Sequence, residues 1–217
     1  MKRLVFFIAA IGLLFPGTSD ARDYGLGIRG GTQGLGVDGA VEIRDWVSAR
    51  GALYGGSPSF DFEEGGNDYD GEITLGGAGV LADFFPKRGK FRLTAGLFAN
   101  RNEIEFDTTP IVPIEIGDDT YDPAEVGQLV GRVEFDSVAP YVGIGWGNVA
   151  KGRGRLGFVF DVGFLVQGTP EVSLARSSMI ANPALDADIQ REENEIENEI
   201  DGMEFWPVIS FGLAIRL

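Results

Sequence analysis

Apolar and polar positions alternate along much of the chain, most sharply in its last fourteen residues, Glu204 to Leu217. Phe205, Pro207, Ile209, Phe211, Leu213, Ile215 and Leu217 share one parity; Trp206, Val208, Ser210, Gly212, Ala214 and Arg216 share the other. Successive side chains of a strand point to opposite faces, so this stretch predicts a strand with one wholly apolar face. Taken alone, that face fits lipid outside a barrel or the core of a soluble sandwich equally well.

The same period recurs upstream and predicts seven more strands, near residues 24–31, 35–44, 46–60, 72–85, 91–106, 131–147 and 155–168. In the fifth and sixth, the apolar parity changes part-way, and a β-bulge is expected near Asn100 to Asn102. Residues 61–71 are acidic and glycine-rich and read as a loop, as do residues 107–130 with Pro110, Pro113 and Pro123. Between Thr169 and Met203 the period becomes helical. Asn182 is placed to cap and Pro183 to open a helix over 183–201, with Leu185, Ile189, Ile196 and Ile200 recurring among carboxylates. Such an acidic amphipathic helix suits a rim element, a disordered segment or a partner-binding face.

Connections after the second, fourth and sixth strands are short, and those after the third, fifth and seventh are long; the first, at Gly31 to Gly34, is short too. An even strand count with this alternation predicts an all-β fold. It is an eight-stranded antiparallel transmembrane β-barrel with short periplasmic turns, longer external loops and a helical segment in the last loop. Strands of this length exceed what a sandwich needs, whereas roughly 9–11 tilted residues span a bilayer. Tyr24, Trp46, Phe84, Phe85, Phe91 and Trp146, with Leu217, gather at strand ends beside the short turns, as an interfacial aromatic girdle does.

The N-terminus has Lys2 and Arg3, an apolar run from Leu4 to Phe15, then Pro16-Gly17 and small residues at Ser19 and Ala21. This pattern predicts a secretory signal peptide over residues 1–21 and a barrel domain over 22–217. The run is too short for the roughly 20 residues of a spanning helix.

The chain has no cysteine and no histidine, which removes disulfides, thiolate metal sites and the usual base of a nucleophilic triad. Its net charge of -15 excludes nucleic acid as a partner. No catalytic, metal or cofactor-binding residue is assigned, and the protein is not expected to be an enzyme. Glu63, Glu64, Asp68, Asp70, Asp118 and Asp119 read as solvated loop carboxylates. The run Asp68-Tyr69-Asp70-Gly71-Glu72 lacks full calcium-loop spacing, so weak divalent binding stays open.

On these parities Arg29, Asp38, Glu42, Arg50, Arg92, Asp161 and Arg216 point into the lumen. An eight-stranded bore is just wide enough to be filled by side chains, and buried charges must pair. The expectation is a lumen charge network in which Arg50 and Arg92 bridge Asp38, Glu42 or Asp161. A water-filled ion path is the alternative.

The export signal, the eight strands and a final strand ending Ile215-Arg216-Leu217 resemble the small outer-membrane barrels of Gram-negative bacteria, the group of the OmpA transmembrane domain and OmpW-like proteins. The segments Ala139-Pro140-Tyr141-Val142-Gly143-Ile144-Gly145-Trp146-Gly147-Asn148, Lys151-Gly152 and Phe160-Asp161-Val162-Gly163 are similar to a family of proteobacterial outer-membrane proteins with no assigned activity. Leu217 stands where such barrels usually end in an aromatic residue. The resemblance implies outer-membrane location and a porin-like fold in the cell envelope, and supplies no catalytic residue. A structural barrel closed by ion pairs is expected first. A small-solute or hydrophobic-compound conduit of the OmpW type is the alternative, and a secreted soluble adhesin the third possibility. Expected partners are outer-membrane lipid, lipopolysaccharide and, during biogenesis, the barrel-assembly machinery, with the barrel itself a monomer.

Overall fold

The computed structural model describes residues 23–152 and 154–217; the expected signal peptide lies outside the described residues. In chain order the strands are β1 (Tyr24–Gly31), β2 (Gly34–Arg44), β3 (Val47–Gly56), β4 (Ser59–Glu64), β5 (Asn67–Phe84), β6 (Phe91–Asn100) and β7 (Glu103–Thr108). A small hairpin follows, β8 (Ile114–Ile116) and β9 (Asp119–Tyr121), then helix α1 (Pro123–Val126). The chain continues through β10 (Leu129–Glu134), β11 (Val138–Trp146), β12 (Leu156–Val166), β13 (Glu171–Arg176), helix α2 (Pro183–Glu199), a 3-10 turn (Asp201–Glu204) and β14 (Phe205–Arg216).

Eight of these strands pair antiparallel in a closed ring, β1-β2-β3-β5-β6-β11-β12-β14 and back to β1. The closing seam sets Gly25 opposite Arg216 and Gly31 opposite Ser210. Closure leaves the barrel without an edge strand. Its outer surface exposes Leu26, Val37, Val80, Leu97, Ile144 and Leu213 among other large apolar side chains. An apolar belt of this extent is costly in water and is the surface of a barrel that faces hydrocarbon.

The remaining strands build a second sheet beyond one end of the barrel, in the order β4-β5-β7-β10-β13. It continues the barrel wall. Ala99 lies opposite Val138 in the barrel and Glu103 opposite Glu134 above it, so β6/β7 and β10/β11 keep one register across the interruption between them. The bulge expected at Asn100 to Asn102 is therefore absent. Asn100, Asn102 and Thr108 are all buried on the inward parity of Arg92 and Thr94. What changes is the solvent. The uninterrupted strand β5 shows this directly: its outward face reads Phe84, Ala82, Val80, Ala78, Gly76 and then Thr74, Glu72, Asp70, Asp68, while the apolar side of its upper part, Leu75, Ile73 and Tyr69, turns inward. The inversion marks where lipid gives way to water. A register shift does occur in the wall, but between β12 and β13. There Tyr141 faces Leu165 while Val133 faces Val172, and Gly168 supplies a φ of 77° that L side chains rarely adopt.

Residues 61–71, read from sequence as a loop, form the β4–β5 hairpin around Gly65-Gly66, both with positive φ as a two-residue primed turn requires. Likewise 107–130 holds the β8–β9 hairpin, α1 and the ends of two strands rather than an irregular loop. The helix forms where its local signals put it: Pro183 opens α2 and the Asn182 side chain accepts a hydrogen bond from Leu185 N. Leu185 and Ile189 are buried with Ile114, Ile116, Tyr121, Val126 and Leu129, so the external unit has its own apolar core.

The acidity of α2 has a local use. Leu174 N donates to Glu193 Oε1 at 2.7 Å and Val172 N to Glu197 Oε1 at 3.0 Å. Four helical residues advance about 6 Å and two strand residues about 6.6 Å, so glutamates four apart match alternate amides of the β13 edge. Tyr121 OH donates to Asp188 Oδ2 at 2.6 Å, and this bond, with burial, pushes the phenol up to about 12. A raised folded-state pKa makes the contribution complete below pH 10 and lost as pH rises through about 12. Alkaline absorbance titration of the native protein against Tyr121→Phe is expected to show one phenol ionising near 12; ionisation near 10 would remove the bond from the account.

Leu185 is fully buried in this small core. Leu185→Ala is expected to cost the external unit about 2–5 kcal/mol. Limited trypsinolysis at Arg176 and Arg191 should then accelerate while the barrel keeps its heat-modifiable gel migration.

Candidate functional site

The bore is filled in three layers. At mid-height, three arginines and three aspartates from six strands converge: Arg29 (β1), Asp38 (β2), Arg50 (β3), Asp83 (β5), Arg92 (β6) and Asp161 (β12). Arg50 grips Asp83 in a fork, Nε to Oδ2 at 2.8 Å and Nη2 to Oδ1 at 2.9 Å. Arg92 Nη2 lies 2.7 Å from both oxygens of Asp161, and its Nε is 3.4 Å from Asp83 Oδ1. Arg29 Nε donates to Asp38 Oδ2 at 2.8 Å, and Arg29 Nη1 also bonds Asp161. Arg50 extends further to Asp38 at 3.5 Å and Asp161 at 3.7 Å. Thr94 Oγ1 donates to Asp83, and Arg92 Nη1 to the carbonyl of Gly147. The cluster is charge-balanced, and five of its six residues are at most 5% exposed. Glycine makes the space: a Cβ on Gly145 would stand 2.8 Å from both Arg92 Cζ and Asp161 Oδ1.

Below this layer, toward the short turns, Val149 and Ala150 are buried against Ala40, Val159 and Ala214. The β11–β12 turn therefore folds back into the mouth. Its return is set locally, because the Asn148 side chain accepts from Ala150 N at 2.9 Å and Lys151 N at 3.0 Å. Lys151 Nζ then reaches Glu42 Oε1 at 2.8 Å and Asp45 Oδ1 at 3.0 Å across the rim. The hydrogen bond and charge of Lys151 hold the Asp45 carboxyl below its usual range, and the two carboxylates push the Lys151 ammonium up. Above the charged layer, Leu81, Phe98, Ala139, Tyr141, Leu165 and Val208 pack together, with Phe98 edge-on to Tyr54 at 5.4 Å and to Tyr141 at 6.0 Å. A cavity of about 50 Å³ separates the apolar layer from the charges, touching Arg29, Gln33, Arg50, Tyr54, Tyr141 and Asp161. It is large enough for a few waters, since one needs roughly 10–15 Å³ measured this way.

Of the residues expected in the lumen, Arg29, Asp38, Arg50, Arg92 and Asp161 meet in the central layer. Glu42 and Arg216 stand apart at the turn end, Glu42 with Lys151 and Arg216 donating to the carbonyls of Gly154 and Asn148. Asp83 and Thr94 complete the layer beyond the residues expected there; the glycine-alanine run Gly76 to Gly79 hides the parity around Asp83, and Thr94, on the same face as Arg92, carries no charge to mark it. Tyr24, Trp46, Phe84, Phe91 and Trp146 lie outside, 40–53% exposed, with Trp46 edge-on to Phe84 at 5.7 Å. Phe85 does not join them. It follows Phe84 directly, so strand alternation turns it inward with Leu81 and Asp83, and it is 2% exposed. Asp68, Asp70 and Glu72 project from the outer face of β5, and among the described residues no group of three or more ligands is placed to hold a metal ion.

No family model and no curated protein matches the chain. Among solved structures it is similar to CarO2 of Acinetobacter baumannii, with a TM-score of 0.62 and 21% identity over 91% of this chain and 100% of that one. It is also similar to CarO of the same organism, with a TM-score of 0.59 and 20% identity over 88% and 96%. The chain shares the fold of these two proteins, a small closed β-barrel. At this identity the likeness extends to architecture, and the chemistry must come from this barrel's own residues. In the bore, guanidiniums and carboxylates are committed to one another.

Proposed function

We propose that this barrel is a resident of the Gram-negative outer membrane that is shut to ions and solutes at rest and holds its folded external unit above the lipid. The observation that carries this is the succession of three fillings along one bore: the tucked turn at Val149 and Ala150, the balanced charge cluster, and the aromatic-aliphatic layer above it. Outer-membrane lipid is the partner of the apolar belt, lipopolysaccharide that of the outer leaflet at its upper margin, and the barrel-assembly machinery the partner of insertion. Planar-bilayer recordings of the purified protein test the closure: a silent membrane is expected, and stable unitary conductance from the unmodified monomer overturns it.

A small-solute or hydrophobic-compound conduit is the second reading, and one observation favours it. The wall is tall along β4-β5-β7-β10-β13 but low at the β1–β2 turn, and the cavity beneath that low rim touches Gly31, Gln33 and the charged layer. Under this reading the charge cluster is a gate and the inward aromatic face of the tall wall is the approach. Liposome swelling separates the two: uptake of small solutes by the unmodified protein favours the conduit.

A further inference from the structure

The external sheet has two edges, and they are treated differently. The β13 edge is covered by α2, whose Glu193 and Glu197 accept its free amides. The β4 edge is bare: β4 pairs with β5 alone, because β2 turns back at Thr32-Gln33, and every side chain from Ser57 to Glu63 is exposed.

The direction of its free backbone groups follows from one bond. Ile73 N donates to Pro58 O at 2.9 Å, and Ser59 lies opposite Glu72, so Pro58 and Ile73 are a hydrogen-bonded pair. Bonded and non-bonded pairs alternate in an antiparallel ladder. The amides and carbonyls of Ser59, Asp61 and Glu63 therefore point away from β5, along an open edge. On the inward face that edge carries Phe60 and Phe62, 40% and 41% exposed and stacked with centroids 6.1 Å apart. On the outward face like charges stand directly opposite, Asp61 to Asp70 to Asp107 and Glu63 to Asp68. Such rows destabilise a sheet unless cations intervene. Arg132, on the same face, is already engaged by Glu103 and Glu105.

We propose that the β4 edge is a strand-addition site for an extended basic peptide segment, with cationic side chains opposite Asp61 and Glu63 and apolar ones opposite Phe60 and Phe62. Three features specify that occupant together: open backbone groups on alternate residues, an aromatic row on one face and uncompensated carboxylates on the other. A second copy of the chain would set Asp61 and Glu63 against the same carboxylates, so charge selects a foreign strand. The site is independent of whether the bore conducts.

The test uses the full barrel in nanodiscs and a short fluorescent peptide alternating lysine with valine, followed by anisotropy. Saturable binding is expected. Asp61→Lys with Glu63→Lys should weaken it at least ~10-fold, and so should a peptide of identical charge with N-methylated backbone amides, because strand addition rests on main-chain hydrogen bonds. Equal binding of the N-methylated peptide would reduce the effect to attraction by an acidic surface and overturn the proposal. So would no binding of either peptide, or self-association of the barrel that the β4 substitutions abolish. Both substitutions are on exposed side chains, and unchanged heat-modifiable migration verifies that the variants are folded.

Discussion

Asp161→Asn is expected to destabilise the barrel by about 3–5 kcal/mol, the range for removing one partner from a buried ion pair. Asp161 accepts from Arg29 and Arg92 and lies 3.7 Å from Arg50, so the substitution leaves three guanidiniums facing two carboxylates. Asparagine keeps the shape, and the lost charge alone is responsible. The surplus cation has nowhere to go, because Arg92 is fully buried and Arg50 is 5% exposed. Urea midpoints of the barrel in lipid vesicles, read by heat-modifiable migration, measure the effect. A loss below about 1 kcal/mol would mean that water screens the cluster as it screens surface pairs.

Removing a matched pair should behave differently. Arg50→Ala and Asp83→Ala are each expected to be as damaging as Asp161→Asn, but the double variant keeps two arginines and two aspartates and stays balanced. A double-mutant cycle should return a coupling of about 2–3 kcal/mol, the upper part of the range for residues in one network. The same double variant removes the fork that fills the centre of the bore and enlarges the cavity beside it. Discrete current steps, absent from the unmodified protein, are then expected in planar bilayers. A silent double variant would assign closure to the apolar layers, with Phe85, Val149 and Phe98 as the next residues to reduce.

The ring of eight strands was legible because every barrel strand has an apolar outward face, and Phe158, Leu213 and Ile215 announce it without help from the fold. The external sheet was hidden by the same rule. If apolar parity marks one side throughout, its reversal at Ile104 and Phe106 predicts a bulge, although the backbone keeps its register there. The true irregularity, beside Gly168, lies in a segment too short and polar to show a period. The β4–β5 hairpin has a weak sequence signal, because Phe60-Asp61-Phe62-Glu63 offers only two cycles of alternation before its glycines. Helix α2 was visible from purely local chemistry at Asn182 and Pro183, whereas the amides that its glutamates meet belong to β13 and are known only from the fold.

Strands β5, β6/β7 and β10/β11 pass from the charged layer to the external sheet without changing partners, and β3/β4 holds the same register against β5. Such a wall keeps one ladder register from barrel to external sheet, with β5 running through it unbroken. A load on its upper margin is carried as shear along ladders that end on Asp83, Arg92 and the turn behind Trp146, so the external sheet acts as a cantilever rooted in the plug.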